Sequence, residues 1–277
     1  MKHKKHLQDL LVQQGLAESK QQAQRLILAA QVRVDGEVVT QAGALVSSSA
    51  HVKVNEGTRF VSRGGLKLEG ALNDFAFDPA RCACIDVGAS SGGFTDCLLQ
   101  NGAASVVAVD VGYGQFDWKL RQDNRVTLFE RTNIAKANPS ALGAPFEVLV
   151  ADLSFTSLAR LAPTLAHLVG DQNNVLTLVK PQFELPKDVV KNGVVRSLEL
   201  HKEALKKVIA AYDVCSLVTQ KVSFSHLLGA KGNTEFWIWA TKGGATATIE
   251  VEEVVRRAHA ELLAHDEATM DTEQACE

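Results

Sequence analysis

Several features of secreted and membrane proteins are missing from this sequence. Its apolar runs all fall short of the ~18 residues that a membrane-spanning helix needs. The charged start MKHKKHLQDLL contains no apolar core of the signal-peptide type. The five cysteines form no CxxC pair, and neither they nor the eight histidines show metal-ligand spacing. We therefore expect a cytoplasmic protein with reduced thiols, without a bound metal and without a membrane partner.

Positive charge is concentrated at the front of the chain. Up to Gly65 there are nine Lys or Arg and five Asp or Glu, a balance of +4, which leaves −7 for the remainder of a chain whose net charge is −3. A basic front on an acidic body is typical of a protein whose front binds a polyanion. The alternative is an uneven solvated surface that has no partner.

The front segment predicts two short helices followed by strands. Three leucines between residues 7 and 11 have the spacing of one helical face, and Gly15 suits the end of that helix. Ser19 can cap a second helix. Valines flank Asp35-Gly36, which is a strong hairpin signal.

This order, in the segment GLAESKQQAQRLILAAQVRVDGEVV, resembles the S-four RNA-binding module over about residues 5–52. In that family the basic second helix and a nearby strand face structured RNA, so phosphate contacts would supply affinity and shape would supply selectivity. The alternative is a helical cap that only packs on the main domain. The resemblance and the positions of the charges together predict these RNA-binding residues: Lys4, Lys5, Lys20, Arg25, Arg33, Arg59 and Arg63.

After Gly70, strand-like and helix-like stretches alternate. The runs CACIDVG, SVVAVDVG, FEVLVADLSF and NVLTLVKPQF are apolar on both faces, as buried parallel strands are. Helical stretches follow at GGFTDCLLQNG, Trp118–Arg121, SLARLAPTLAHLV and about 198–211. The segment 214–243 predicts two or three further strands, with a hairpin closing near Gly232-Asn233. The fold class is therefore α/β, a doubly wound sheet with an antiparallel edge hairpin, whose ligands bind outside the carboxyl ends of the strands.

A glycine turn, IDVGASSGGFT, follows the first of these strands. Its spacing, Gly88-x-x-x-Gly92-Gly93, departs from the GxGxxG of dinucleotide enzymes, which argues against an NAD-dependent dehydrogenase. Asp86 before the turn suits a ligand with a cationic amine and no phosphate, and S-adenosylmethionine is such a ligand. Asp110 stands roughly 20 residues further on, where a carboxylate accepts ribose hydroxyls. The alternative is a tight turn in a non-catalytic α/β domain.

The glycine turn and the second acid together resemble the signature of class I, Rossmann-like methyltransferases. The resemblance implies that S-adenosylmethionine is the cofactor. It also implies the following contacts for it: Asp86, Gly88, Ser90, Gly92, Gly93, Asp110, Asn133 and Asp152.

Four charged residues stand at or near strand ends: Lys67, Asp152, Lys180 and Glu235. A charge at the end of a buried strand is disfavoured unless it is paired. If Asp152 holds both lysines, repulsion between the two ammoniums favours the neutral amine that a general base for a ribose hydroxyl needs. The alternatives are a surface ion pair for Asp152 and Lys180, a solvated helix lysine at Lys67 and a hairpin-surface carboxylate at Glu235.

The order Lys-Asp-Lys-Glu is similar to the tetrad of FtsJ-like ribose 2′-O-methyltransferases. With FVSRGGLKLEGAL, DVGASSGGFTDCLLQ, VDVGYGQ, ADLSF, LVKPQFE and GNTEFW, about residues 5–242 resemble the TlyA family. Members of that family are rRNA cytidine 2′-O-methyltransferases that are sometimes called haemolysins. The resemblance implies a catalytic tetrad of Lys67, Asp152, Lys180 and Glu235, with Lys180 as the base held by Asp152. It also implies large-subunit rRNA as partner, with small-subunit rRNA as a further target, and no metal.

The expected domain order is an RNA-binding domain over 1–58, a linker over 59–66, a methyltransferase domain over 67–245 and an acidic helix or tail over 246–277. We expect a monomer. A non-catalytic ribosome-assembly factor is the alternative function, and it predicts loss of the tetrad or of the glycine turn. A membrane-active haemolysin would need a membrane span or a basic amphipathic helix. The tail segment IEVEEVVRRAHAELLAHDEATMD is amphipathic but acidic.

Overall fold

The structure is a computed structural model, and it describes residues 4–17, 19–28, 32–39, 41, 43–54 and 59–274. Within these residues no helix is both long enough and apolar enough to cross a membrane. The chain divides into two compact units, Met1–Arg59 and Phe60–Glu277.

The front unit combines short helices with short antiparallel strands. In chain order its elements are β1 (Lys4–His6), α1 (Leu7–Gln13), α2 (Lys20–Leu28), β2 (Val32–Val34), β3 (Glu37–Val38), β4 (Leu45–Ser47) and β5 (Val52–Val54). β2 pairs antiparallel with β3 and with β5, and β1 pairs antiparallel with β4.

The local signals in the front of the sequence are confirmed. The three leucines of α1 are buried, and they pack with Ile27 of α2 in one apolar cluster. Ser19 caps α2, because its Oγ accepts a hydrogen bond from the Gln22 amide at 3.2 Å. Asp35 and Gly36 both have left-handed backbone (φ 51° and 91°), which is the geometry of a tight hairpin turn between β2 and β3.

The second unit is built on one seven-stranded sheet. Its strands are β6 (Ala83–Val87), β7 (Ser105–Val109), β8 (Val126–Phe129), β9 (Phe146–Ala151), β10 (Val169–Val179), β11 (Leu217–Phe224) and β12 (Phe236–Lys242). Their order across the sheet is β11-β12-β10-β9-β6-β7-β8. β12 runs antiparallel to both β10 and β11, whereas the remaining pairs are parallel. This confirms the predicted α/β sheet with an antiparallel edge.

Helices cover both faces of this sheet. They are α3 (Arg63–Phe75), α4 (Gly93–Gln100), α5 (Trp118–Arg121), α6 (Pro139–Leu142), α7 (Leu158–Leu168), α8 (Pro181–Glu184), α9 (Leu198–Val214) and α10 (Val251–Gln274). Short 3₁₀ turns lie at Ile134–Lys136 and Ala230–Gly232. Residues 63–66, which fall in the segment expected to be a linker, form the first turn of α3.

The central strands are buried on both faces, as their continuous apolar runs predict. In β9, Leu149 and Ala151 belong to one core cluster with α7, α9 and α10, and Val148 and Val150 belong to the other with α3 and α4. Side chains of a strand alternate between faces, so an apolar residue at every position fills both cores. Each fully buried Val or Leu contributes about 1.5–3 kcal/mol to folding.

Two features of the sheet differ from the sequence prediction. The short edge strand β8 was not predicted, because its four residues VTLF, although they favour a strand, are too few to show a period by themselves. The closing hairpin was expected to turn near Gly232-Asn233. The hairpin does close there, because Gly229 N donates to Asn233 O at 2.8 Å, but β11 ends at Phe224 and β12 begins at Phe236, so the connection is longer than predicted, an eleven-residue loop over 225–235.

Candidate active site

The glycine turn between β6 and α4 has a backbone that only a few residue types tolerate. Gly88 (φ +87°), Ser90 (φ 50°) and Gly92 (φ +93°) are all left-handed. A Cβ at Gly88 would clash with the carbonyl oxygen of Asp152, the residue that follows β9. The turn therefore lies directly against the next loop of the site, and glycine is required there by both conformation and space.

Gly93 serves a different purpose, because it begins α4 where that helix meets α3. A Cβ at Gly93 would clash with Ser62 Oγ and would lie 2.8 Å from the amide nitrogen of Gly65. Gly65 is itself buried against Phe60. The glycines at the start of α3 thus permit two helices to approach closely, which brings Lys67 on α3 to the ligand-binding edge of the sheet.

Asp86 is fully buried beneath the turn. Its Oδ2 accepts hydrogen bonds from the Thr95 amide at 3.0 Å and from Thr95 Oγ1 at 2.7 Å, whereas Oδ1 has no partner within the described residues. Burial raises the pKa of Asp86 to about 7, and the charges of Asp152 and Asp110 add to the rise although the bonds from Thr95 oppose it. A buried acceptor without a donor is costly, so a cationic ligand above the turn would stabilise this carboxylate.

A cavity of about 500 Å³ opens at the carboxyl ends of β6, β7 and β9. This volume suits a ligand the size of a nucleoside with a short chain. Of the predicted cofactor residues, five line the cavity: Gly88, Ser90, Asp110, Asn133 and Asp152. The other three, Asp86, Gly92 and Gly93, lie outside the lining of the cavity and support the conformation of the glycine turn.

Asp110 bridges two loops of this cavity. Its Oδ2 accepts from the Ser90 amide at 2.8 Å, and its Oδ1 accepts from the Gly112 amide at 2.6 Å. Each carboxylate oxygen can accept a second bond, so Asp110 is held rigidly and can still accept ribose hydroxyls. Asn133 uses its Oδ1 to accept from Ala135 N at 3.0 Å, which leaves its NH₂ group as a donor at the cavity wall. These donors, acceptors and the apolar side chains of Ile134 and other residues fit an adenosine with a charged amino-acid chain.

The four predicted tetrad residues form two ion pairs. Lys67 Nζ lies 2.5 Å from Glu235 Oε2, and Lys180 Nζ pairs with Asp152 Oδ1. Lys180 Nζ is also 3.4 Å from Ser154 Oγ. The expectation that Asp152 holds both lysines is wrong, because each ammonium has its own carboxylate.

The two pairs lie beside each other. Glu235 immediately precedes Phe236, and Phe236 pairs with Val179 across the sheet, so Glu235 and Lys180 are neighbours at adjacent strand ends. Burial raises the pKa of Glu235, whereas the Lys67 and Lys180 charges lower it and Asp152 raises it further. The side chains are between 2% and 24% exposed. The structure therefore places the four predicted residues together in one small site that is largely shielded from solvent.

Asn233 is a buried anchor that the sequence patterns did not reveal. Its Nδ2 donates to Gly193 O at 3.0 Å and to Ala230 O at 2.9 Å, and its Oδ1 accepts from Val195 N at 3.0 Å. It thereby ties the loop before β12, which carries Glu235, to the segment that precedes α9. The motif GNTEFW contains this asparagine, but a local pattern does not show which distant carbonyls it binds.

Two aromatic residues at the rim were also missed. Phe155 is 91% exposed with left-handed backbone (φ 62°), and its ring contacts that of Phe183 in a tilted arrangement at 5.3 Å between centroids. Each phenylalanine follows a tetrad residue by three positions, Asp152 in one case and Lys180 in the other. The sequence signal that could have revealed the two phenylalanines is this equal offset, which is visible in the segments ADLSF and LVKPQF.

The predicted RNA-binding cations of the front unit are exposed where the structure describes them. Lys4 and Lys5 lie on β1, Arg33 on β2 donates to Gly36 O at 2.8 Å, and Lys20 on α2 is paired with Asp9 at 2.8 Å. The side chain of Arg25 lies outside the described ones. Arg59 is exposed at the end of this unit, and Arg63 is exposed on α3 of the second unit.

The parallel sheet with its antiparallel edge, the glycine turn and the cavity at the strand ends define the second unit as a class I methyltransferase fold. The FtsJ-like methyltransferase family model matches residues 60–242, and the S4 domain model matches residues 6–52. The chain belongs to the FtsJ-like methyltransferase family. It is a methyltransferase, and S-adenosylmethionine is its methyl donor.

Relatives match nearly the whole chain. The chain is 43% identical over 256 residues to the 16S/23S rRNA (cytidine-2′-O)-methyltransferase TlyA of Mycobacterium tuberculosis, with 91% of this chain and 96% of that one covered. It is 37% identical over 232 residues to Hemolysin A of Brachyspira hyodysenteriae, with 83% and 97% covered. A solved structure of a hemolysin candidate from Streptococcus thermophilus superposes with a TM-score of 0.74 at 37% identity, covering 96% of this chain and all of that one.

Proposed function

We propose that this protein transfers a methyl group from S-adenosylmethionine to the ribose 2′-oxygen of a cytidine in ribosomal RNA. The observation that carries the proposal is the juxtaposition of the Lys180–Asp152 and Lys67–Glu235 pairs at the edge of the cofactor cavity. The name of the M. tuberculosis relative supports the same reaction and the same nucleoside.

The chemistry of a ribose hydroxyl explains why such a site is needed. A 2′-hydroxyl is a weak nucleophile until its proton is removed. S-adenosylmethionine, when bound, supplies a methyl group on a positively charged sulfur that an oxygen can attack directly. In its neutral form the Lys180 amine accepts the hydroxyl proton, and the Asp152 carboxylate fixes the position of that amine.

The second ion pair has an orienting role in this proposal. Lys67 can donate to ribose oxygens while Glu235 holds its ammonium. Because both pairs are largely buried, their positions are set before substrate arrives, and pre-set geometry supplies much of the acceleration in a direct transfer.

RNA binding is assigned to the S4 domain and to the rim of the active site. The exposed cations of the front unit suit phosphate contacts. At the rim, the exposed Phe155 offers a face on which a base can stack, an interaction worth about 1–3 kcal/mol per base. We propose large-subunit rRNA as the first target, small-subunit rRNA as a further one, and a monomer acting in the cytoplasm.

The experiment that tests the proposal is methyl transfer to separated, unmodified ribosomal subunits with labelled S-adenosylmethionine. Lys180→Ala is assayed beside the wild type, and Lys206→Ala, which changes an exposed lysine of α9 paired with Glu252, is the control. Label at a ribose 2′-oxygen of a cytidine, lost in Lys180→Ala and retained in Lys206→Ala, is the expected result. Measurable cofactor binding without transfer to either subunit would instead favour a non-catalytic rRNA-binding factor.

A further inference from the structure

Glu184 is a buried carboxylate next to the active site, and the reaction described above does not use it. It ends α8, four residues after Lys180, and it is 2% exposed. Its Oε2 accepts from Ser157 Oγ at 2.6 Å, and its Oε1 accepts from the Leu158 amide at 2.6 Å. Leu158 is the first residue of α7, so the carboxylate of one helix caps the N-terminus of another. Negative charge is stabilising at that end of a helix.

The topology makes this cap relevant to catalysis. β9 and β10 are parallel neighbours, and the chain leaves both at the same edge of the sheet. After β9 it passes through Asp152 into α7, and after β10 it passes through Lys180 into α8. Two loops that each carry one member of an ion pair therefore run side by side.

Side-chain contacts join these loops along their length. The Asp152–Lys180 ion pair and the Lys180–Ser154 hydrogen bond lie closest to the sheet, and the tilted Phe155–Phe183 ring contact follows. The bonds from Ser157 and Leu158 to Glu184 close the far end. The middle contact involves a 91% exposed ring, so it adds little rigidity. The contacts to the buried Glu184 carboxylate resist displacement, because a buried carboxylate that loses its donors is strongly destabilised.

The backbone of Glu184 is held in place as well as its side chain. The ammonium of Lys207, on α9, donates to the backbone carbonyl oxygen of Glu184. α9 contacts both α7 and α8, so the end of α8 is anchored to the body of the unit as well as to α7. A movement of the Asp152 loop relative to Lys180 must therefore break bonds to Glu184.

We propose that Glu184 is a positioning residue for methyl transfer, which sets the placement of the Asp152 carboxylate against the Lys180 amine by tying α7 to α8. This rests on the proposed function, in which Lys180 receives the hydroxyl proton. Glu184 acts through the two tetrad residues and does not touch the substrate.

The first test is steady-state kinetics of methyl transfer to ribosomal subunits. We expect Glu184→Ala to lower kcat about 100-fold, the scale of loss that follows a misplacement of ~1 Å, with KM for the subunit changed by less than about 3-fold. Glu184→Gln keeps the volume and one acceptor oxygen, and we expect it to restore most of the loss. Ser157→Ala removes one donor to Glu184 together with the acceptor for the Arg160 amide, and it replaces Glu184→Ala if that variant does not fold. We expect it to lower kcat more than Glu184→Gln does.

The matched control is Tyr212→Phe. It removes a buried hydrogen bond of 2.9 Å to Thr177 Oγ1, and it lies outside both loops. This variant lowers stability without removing a hydrogen bond between α7 and α8. If Tyr212→Phe and Glu184→Ala lose kcat in proportion to their loss of stability, Glu184 is a structural residue only and the proposal is overturned.

The second test does not depend on activity. The rate at which an acylating reagent modifies each lysine of the ligand-free protein is measured by mass spectrometry. Lys180 is 12% exposed and ion-paired, so it should react slowly in the wild type and several-fold faster in Glu184→Ala, whereas Lys67 on α3 should keep its rate. Unchanged labelling of Lys180 contradicts the proposal. If Lys180 is labelled faster in Glu184→Ala but the wild type transfers no methyl group to rRNA, the positioning role is retained and the proposed function is overturned.

Discussion

The side chains of Lys67 and Glu235 meet at 2.5 Å although the residues are 168 positions apart in the chain. Glu235 is 2% exposed and Lys67 is 11% exposed. With Lys180 and Asp152 beside them, two ammoniums and two carboxylates share one space and their formal charges cancel. A site of this kind is stable only while every charge keeps its partner.

Removing one partner of the Lys67–Glu235 pair should therefore destabilise the fold. We expect Lys67→Met to lower the free energy of unfolding by about 3 kcal/mol, because it leaves the buried Glu235 carboxylate without its cation. The double variant Lys67→Met/Glu235→Gln should regain most of that loss. Urea unfolding of the two single variants and the double variant measures this, and effects that simply add would show that the residues are not coupled.

Charge alone should not replace the lysine at position 180. Lys180→Arg can keep an ion pair with Asp152, but a guanidinium stays protonated at any accessible pH and cannot accept the hydroxyl proton. We expect at least a 100-fold loss of kcat with cofactor affinity nearly unchanged. Calorimetric titration with S-adenosylmethionine and single-turnover methylation measure the two quantities. An active arginine variant would mean that Lys180 acts through its charge and another group is the base.

A matched pair of glycines separates backbone strain from a steric clash. Gly88 and Gly114 both have positive φ, +87° and +77°, but a Cβ at Gly88 meets the Asp152 carbonyl oxygen, whereas at Gly114 it meets nothing within 4 Å among the described atoms. We expect Gly114→Ala to cost about 1 kcal/mol of stability and Gly88→Ala about 3 kcal/mol or more, with cofactor binding lost only in the latter. Equal losses in thermal unfolding would remove the clash as an explanation.

Asp86 should make the ligand-free protein less stable as the pH rises. Its folded-state pKa is raised from 3.8 to about 7, so the folded protein keeps a proton that the unfolded chain releases. The associated stability is fully present below pH 3.8 and is lost as the pH rises through 7. We expect Asp86→Asn to be more stable than wild type at pH 8 by about 2–4 kcal/mol, and the difference to vanish near pH 4.

Thr95→Val is the control for that prediction. The Thr95 hydroxyl lowers the pKa of Asp86, so its loss should extend the pH-dependent loss of stability to higher pH and make its total larger, the opposite of Asp86→Asn. Urea unfolding between pH 4 and pH 8 follows both variants. A difference in stability between wild type and Asp86→Asn that does not grow from pH 4 to pH 8 would contradict the buried, partly protonated state of Asp86.

Phe155 should matter for activity and not for folding. Its ring is 91% exposed, so Phe155→Ala should change the free energy of unfolding by less than about 0.5 kcal/mol. If the ring stacks on the target base, methylation of ribosomal subunits should fall about 10- to 100-fold in kcat/KM. Val214→Ala, which truncates an 87% exposed apolar side chain, is the comparison and should leave methylation unaltered. Full activity of Phe155→Ala would rule out stacking at this position.

Much of the architecture could be predicted because its signals are local. The apolar runs of β6, β7, β9 and β10 and the leucine spacing of α1 determine their elements directly, since burial of both faces or of one stripe follows from the period of the pattern. β8 and the long connection before β12 escaped prediction. An edge strand of four residues and an irregular loop depend on neighbours that lie elsewhere in the chain.

The sequence by itself determined which residues we propose for the chemistry: the glycine turn, the acids at strand ends and the four tetrad residues in their order. Only the tertiary structure decided how the charges are paired. Antiparallel pairing of β12 with β10 places Glu235 beside Lys180, and the close approach of α3 to α4 delivers Lys67 to Glu235, so Asp152 is left to Lys180 alone. The physical reason is that an ion pair between distant segments depends on sheet register and helix packing, and neither quantity is encoded in the residues adjacent to the charge.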